Sequence, residues 1–206
     1  MALTGKVVPY KVGFGAMPAD VFHVPFPVEM HGTTVEQSLG VLKKLFAADV
    51  DPNRVAAIII EPVQGEGGFY PVPVNMMKAL REICDQHGIL LIADEVQTGF
   101  ARTGKLFGME HYGVTADLMT MAKGLGGGFP IAAVTGRAEI MDAPGPGGLG
   151  GTYGGSPIGV AAAHAVLDVI KDEDLCNRAE QLGGRLKQRL AAIREKAPEI
   201  VDIRGP

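Results

Sequence analysis

The chain has 206 residues, 47% of them hydrophobic and 20% charged, with a net charge of −4 and a pI near 5.7. That composition fits one globular domain with a sizeable core, and the acidic balance argues against nucleic acid or an anionic membrane as the main partner. The two cysteines, Cys84 and Cys176, are too few for a disulfide framework and point to a reducing, cytoplasmic compartment, and the longest apolar runs are too short to span a bilayer.

Residues 1 to 32 hold many Gly and Pro and little helical periodicity, so they read as an extended loop. Thr33 to Asp49 reads as a helix, with Thr33 and Glu36 as its capping box and Val35, Leu39, Leu42 and Phe46 on one face. Val55 to Ile60 is a β-branched run expected to form a strand buried on both sides. Val74 to His87 is helical, with Met76, Leu80, Ile83 and His87 on one stripe and Gly88 as its stop. Ile89 to Ala93 is a second buried strand, Leu106 to Tyr112 a short helix, Leu118 to Met121 a third strand and Ile131 to Thr135 a fourth. Pro157 to Lys171 is apolar nearly all round and is expected to be mostly buried. Leu175, Ala179, Leu182, Leu186, Leu190 and Ile193 form the stripe of a long amphipathic helix. Glu199 to Arg204 reads as a strand that stops at Gly205-Pro206 and must either pair inward or be the cut edge of something larger, which suggests an incomplete chain.

Alternating strands and helices imply an α/β fold, a mostly parallel sheet flanked by helices. Ligands in such sheets bind beyond the carboxyl ends of the strands. The segments to examine are therefore Glu61 to Gly68, Asp94 to Gly104 and Lys123 to Pro130.

Three glycine patterns invite a nucleotide reading, and each fails on context. Gly99 to Lys105 has the first part of a P-loop, but Leu106 stands where a Mg²⁺-binding Ser or Thr is needed. Gly145 to Gly150 spells a dinucleotide fingerprint, yet it follows no clear strand and opens no helix directly. In the Gly124 to Gly128 cluster, Phe129 occupies the third glycine position. The histidines show no metal-ligand spacing, and Cys84 with His87 would supply only two ligands.

A stronger constellation comes from the strand ends. Asp94 follows one buried strand directly, and Lys123 follows the next. Charge at the end of an apolar strand is costly without a partner or a task. One reading is a plain Asp94–Lys123 ion pair. The other is pyridoxal-phosphate chemistry, in which a lysine holds the cofactor aldehyde and an acid keeps the pyridine nitrogen protonated. Gly-rich loops offer backbone N–H groups to the phosphate.

Ile60 to Gly68 (IEPVQGEGG), Leu91 to Gly99 (LIADEVQTG) and Ala122 to Pro130 (AKGLGGGFP) resemble the signatures of the class III aminotransferases. Gly150 to Gly155 (GGTYGG) looks like that family's later phosphate loop. The motifs stand in the family's order, and the resemblance covers essentially the whole chain. Ala2 to Lys6, Gly13 to Gly15 and Gly147 to Tyr153 look closest to the 4-aminobutyrate aminotransferases.

The resemblance implies a fold-type-I, aspartate aminotransferase-like large domain with pyridoxal 5′-phosphate as cofactor. It implies that Lys123 holds the cofactor as an imine and later moves the substrate proton, and that Asp94 pairs with the ring nitrogen. Val96 would pack on the ring, Gln97 would bond its 3′ oxygen, and Thr152 would reach the cofactor phosphate of the other subunit of a homodimer. Glu66 would pair with a substrate-binding arginine. Lys105, the competing lysine, reads as a solvated loop charge.

The partners implied are an amino donor and a 2-oxo acid acceptor. The reaction would convert 4-aminobutyrate and 2-oxoglutarate to succinate semialdehyde and glutamate. On this reading residues 1–206 are the central and later part of the large domain, without the family's N-terminal segment and C-terminal small domain. Three rivals remain: an acetylornithine or ornithine aminotransferase, a non-catalytic piece that only folds and dimerises, and a nucleotide-binding protein.

Overall fold

The computed structural model describes residues 1–205, which form two compact units, Met1–Val50 and Asp51 onward. In the first unit, turns and bends lead to helix α1 (Val35–Ala48). Its cap lies one residue later than the sequence suggests. The Thr34 hydroxyl accepts from Gln37 N at 3.2 Å, and the Gln37 side chain accepts from Thr34 N at 2.8 Å. Gln serves in place of Glu at the third helical position, so the Thr33–Glu36 pair is displaced by an equally good reciprocal pair. Val35, Ser38 and Leu42 are the buried face of α1.

The second unit is built on a four-stranded sheet in the order β1 (Ala57–Ile60), β4 (Leu90–Asp94), β5 (Leu118–Met121), β6 (Ala133–Gly136). The first three strands run parallel and β6 is antiparallel to β5. This is the mostly parallel α/β sheet that the alternation predicts. The two short strands β2 (Val63–Gln64) and β3 (Tyr70–Pro71) form a separate hairpin after β1. Helix α2 (Val74–His87) packs on β4 and ends at Gly88, whose left-handed φ of 67° suits a residue without a Cβ. A short helix α3 (Ala138–Met141) follows β6, and the long helices α4 (Pro157–Asp172) and α5 (Leu175–Arg194) complete the unit.

Several expectations need correction. The strand at Val55–Ile60 begins at Ala57, and β1 is an edge strand with Ile59 exposed, so it is not buried on both sides. A β-branched run favours a strand but carries no information about how many faces are covered. Helix α4 is not mostly buried, because only Gly159, Ala163 and Ile170 are buried while Ile158, Leu167 and Val169 are exposed. The stripe of α5 is a helix as expected, yet Leu182, Leu186 and Ile193 face outward and no residue of that helix is buried. Leu106–Tyr112 is only a 3-10 turn over Gly108–His111, and the strand at 131–135 starts at Ala133. Glu199–Arg204 is not a strand. Instead Arg204 lays its guanidinium 4.0 Å from the Tyr70 ring centre and donates to Gly68 O.

One buried carboxylate locks the sheet. Asp117, which is 5% exposed, accepts from Leu91 N at 2.8 Å, from Arg81 at 2.8 Å and from Arg137 at 3.0 Å, tying α2, β4 and the start of β5 to the residue after β6. Burial by itself would raise the Asp117 carboxyl, but the Leu91 N–H and the two guanidiniums outweigh it and hold the group below its ordinary value. Both cysteines are free, and burial pushes the Cys84 thiol up to about 11. No helix among the described residues is long and apolar enough to cross a membrane.

The lowered Asp117 carboxyl links stability to acid. Its contribution is fully present above the unfolded-state value of about 3.9 and is lost as the pH falls through the lower folded-state value. Asp117→Ala leaves the largely buried Arg81 without its main partner and should cost on the order of 3 kcal/mol in urea unfolding at pH 7. An unchanged urea midpoint would show that the clamp is idle.

Candidate active site

The parallel register brings three strand ends to one rim. Ile60 lies opposite Ala93 and Asp94 opposite Thr120, so Glu61, Asp94 and the residues after Met121 leave the sheet side by side. Asp94 closes β4 and is half-buried. Its Oδ1 accepts from Val96 N at 3.1 Å and from the Thr120 hydroxyl at 3.3 Å, and Oδ2 takes no hydrogen bond from any other described residue. Lys123 follows β5 by two residues and opens a 3-10 turn over Lys123–Gly126. It has a left-handed φ of 45°, a conformation that costs a non-glycine residue about 1–3 kcal/mol and tends to mark functional positions.

The Lys123 side chain is exposed and forms no salt bridge with Asp94 or with any other described residue. A plain ion pair at the strand ends is therefore not what the fold builds. Behind this turn sit Phe100, against the bare Cα of Gly124, and Val166 of α4, against Gly127. Phe100, Met121, Leu125, Ala163 and Ile170 form the hydrophobic cluster beneath it, so the lysine stands on a packed floor.

Val96 and Gln97 lie half-buried in the turn after β4. Gln97 packs against Gly65, where an added Cβ would come within 2.4 Å of its Nε2. A side chain at this position would push the Gln97 amide out of its place. Glu66 is exposed in the turn of the β2–β3 hairpin, next to Gly65. Thr152 is exposed in the turn before α4 and makes no hydrogen bond to another described residue.

Two acids in the motifs have roles that sequence reasoning left unassigned. Glu95 is fully buried and accepts from Gly108 N at 2.9 Å, from Met109 N at 2.7 Å and from the Thr98 hydroxyl. It holds the loop after β4 shut. Glu61 is half-buried, and its carboxyl lies above the ordinary value: burial raises it most, and the charges of Asp94 and Glu66 add, against the Gly65 N–H and Lys123. Both stand directly in the quoted motifs, and the signal that could have singled them out was an acid adjoining a strand run, as with Asp94.

The nucleotide readings find no support in the geometry. Gly99–Lys105 is a run of turns with left-handed Phe100 and Ala101, no helix begins after it, and Lys105 is an exposed loop residue. Gly145–Gly150 is an exposed loop. Among the described residues no group of three or more His, Cys, Asp or Glu side chains could hold a metal ion. What the rim can do is present a lysine amine, an acid with an open oxygen and an amide to a planar ligand lying across the strand ends.

Comparison with known proteins shows the family. The family model described as aminotransferase class-III matches residues 1–206. The chain is 56% identical over 205 residues to the 5-aminovalerate aminotransferase DavT of Pseudomonas putida and 54% identical over 205 residues to the 4-aminobutyrate aminotransferase GabT of Escherichia coli. Each match takes in 100% of this chain and 48% of the relative, so the chain spans about half the length of these relatives. Among solved structures, an (S)-enantioselective omega-transaminase from Thermomicrobium roseum superposes with a TM-score of 0.86 at 35% identity, covering 99% of this chain and 48% of that one. An ornithine aminotransferase from Toxoplasma gondii superposes at 0.74 with 42% identity, covering 81% of this chain and 39% of that one. The chain belongs to the class-III aminotransferase family.

Proposed function

We propose that this chain is the cofactor-binding part of an ω-amino acid aminotransferase, with Lys123 holding pyridoxal 5′-phosphate and Asp94 facing its ring nitrogen. The observation that carries the proposal is the pairing at the ends of adjacent parallel strands: among the described residues, a lysine with no salt bridge follows one strand and an acid whose Oδ2 takes no hydrogen bond closes the neighbouring one. Those donors fit the cofactor. An amine can take its aldehyde, a carboxylate oxygen can accept its ring N–H, and an amide such as that of Gln97 can donate to its phenolic oxygen.

When bound, the cofactor supplies an electron-accepting ring that allows the C–H bond beside the amine to break. The protein's part is positional and electrostatic. Asp94, with Oδ1 held by Val96 N and the Thr120 hydroxyl, would offer Oδ2 to the ring nitrogen, where a carboxylate favours the protonated ring. Lys123 Nζ, once free, would take the proton from the substrate carbon and return it as a general acid. Its left-handed turn over the packed cluster fixes where the Lys123 backbone stands.

Val96 would lie on the ring face, and Glu66 would pair with an arginine from outside this chain. A homodimer with shared sites completes the reading, since the exposed Thr152 suits a residue that serves the partner subunit's cofactor phosphate. The two unpaired cysteines fit a cytoplasmic setting.

The overall reaction proposed is 4-aminobutyrate and 2-oxoglutarate giving succinate semialdehyde and glutamate. A second donor has a specific observation in its favour, because the relative with 56% identity acts on 5-aminovalerate by its name. The two donors differ by one methylene, which a pocket distinguishes by about 10–200-fold.

Incubation with pyridoxal phosphate, borohydride trapping and peptide mapping should place the label on Lys123 and none on Lys105. A label on Lys105, or none in folded protein, would overturn the assignment, and Lys123→Ala should abolish it. Asp94→Asn should slow bleaching of the bound cofactor by an added amino donor by a factor equivalent to about 2–4 kcal/mol. Bleaching within twofold of the parent chain would remove Asp94 from that role. Offering 4-aminobutyrate, 5-aminovalerate and ornithine in parallel should give the fastest bleaching with 4-aminobutyrate, and a tenfold preference for 5-aminovalerate would reassign the donor.

A further inference from the structure

Glu61 stands one residue beyond β1, laterally beside Asp94, because Ile60 and Ala93 are register partners. The chain leaving it is pinned. The carbonyl of the buried Pro62 accepts from the Tyr112 hydroxyl at 2.6 Å and from Val72 N at 3.0 Å. From this fixed point the Glu61 carboxylate reaches forward, and its Oε1 accepts from Gly65 N at 3.2 Å. Gly65 is the residue whose bare Cα makes room for the Gln97 amide, with the site of a Cβ only 2.4 Å from Nε2 and 2.6 Å from Cδ. Gly65 O in turn accepts from Gly68 N and Phe69 N, so the turn is a closed unit with Glu61 at its root. Around the carboxylate stand the charges of Asp94, Lys123 and Glu66.

We propose, resting on the cofactor reading above, that Glu61 is a positioning residue: its carboxylate anchors the Gly65 turn against which the Gln97 amide is seated, and so aims Gln97 at the cofactor. A carboxylate at this rim is costly to bury and would be dispensable if only the turn's own backbone bonds mattered. Its position between β1 and the Gln97 contact explains why an acid, half-buried beside another acid, occupies the strand end.

Two variants separate the hydrogen bond from mere packing. Glu61→Gln keeps an oxygen that can accept from Gly65 N, whereas Glu61→Ala keeps none. The first readout needs no cofactor: the side-chain amide NMR signals of Gln97, with Gln181 on α5 as internal reference. The second is pyridoxal phosphate affinity by visible titration. Glu61→Ala should move the Gln97 signals, leave those of Gln181 in place and weaken cofactor binding about fivefold to tenfold, the loss of one hydrogen-bond anchor. Glu61→Gln should restore both readouts to within about twofold of the parent chain. Unmoved Gln97 signals in Glu61→Ala, or a Glu61→Gln variant as impaired as Glu61→Ala, would overturn the proposal. A parent chain that takes up no cofactor would defeat the cofactor reading, and the Gln97 signals would still decide the seating role of Glu61.

Discussion

The parallel pairing of β1, β4 and β5 is the constraint on which the rest of this structure depends. Parallel strands in register end on the same side of the sheet, so whatever follows each strand meets its neighbours' continuations there. Here the followers are Glu61, the turn beginning at Glu95 and the Lys123 turn, with Asp94 itself the last residue of β4. Placing two acids and a lysine together at the edge of an apolar sheet has an electrostatic cost. The fold meets it locally. Asp94 is satisfied through one oxygen by Val96 N and Thr120, Glu61 by Gly65 N, and Lys123 stays exposed to water. Reactive groups thus remain close without neutralising one another.

Buried carboxylates hold this rim from behind. Glu95 collects the Gly108 and Met109 N–H groups and the Thr98 hydroxyl, which closes the loop after β4 and leaves Val96 and Gln97 on its outer side. Asp117 does comparable work at the opposite end of the sheet, where the chain enters β5. A buried carboxylate stabilises only when its acceptor sites are filled, and both of these are filled mainly by backbone N–H groups or guanidiniums. Glycines complete the frame where a side chain has no room. Gly65 yields to Gln97, and Gly108 sits within 3.2 Å of Glu95 Oε2 at the position a Cβ would take.

The helices show the other side of the balance. The apolar faces of α4 and α5 leave Ile158, Leu167, Leu182 and Leu186 exposed. Periodicity identified the stripe of α5, because a helix repeats every 3.6 residues whatever lies beside it, and α4 read as apolar nearly all round. It could not say what covers the face, since cover is a property of neighbours and not of the helix. The same distinction explains β1, where a β-branched run marked a strand but not its place at the sheet edge. It also explains Glu199–Arg204, where strand-like residues found an aromatic ring and a carbonyl instead of a ladder.

The sequence by itself determined the alternation of strands and helices, the glycine stop at Gly88 and the strand-end motifs that contain Asp94, Gln97 and Lys123. These are local matters: hydrophobic period, backbone freedom and residue chemistry are written in consecutive residues. Only the tertiary structure decided that Lys123 and Asp94 are neighbours without being an ion pair, since that depends on the register of β4 and β5 and on the left-handed turn at Lys123. Only it showed Glu95 as a buried anchor and Glu61 as the support beneath Gly65, because both act through groups distant in the chain or around a turn whose course sequence does not reveal. Hydrogen bonds and packing are set by three-dimensional proximity, and proximity is what folding adds to the order of residues.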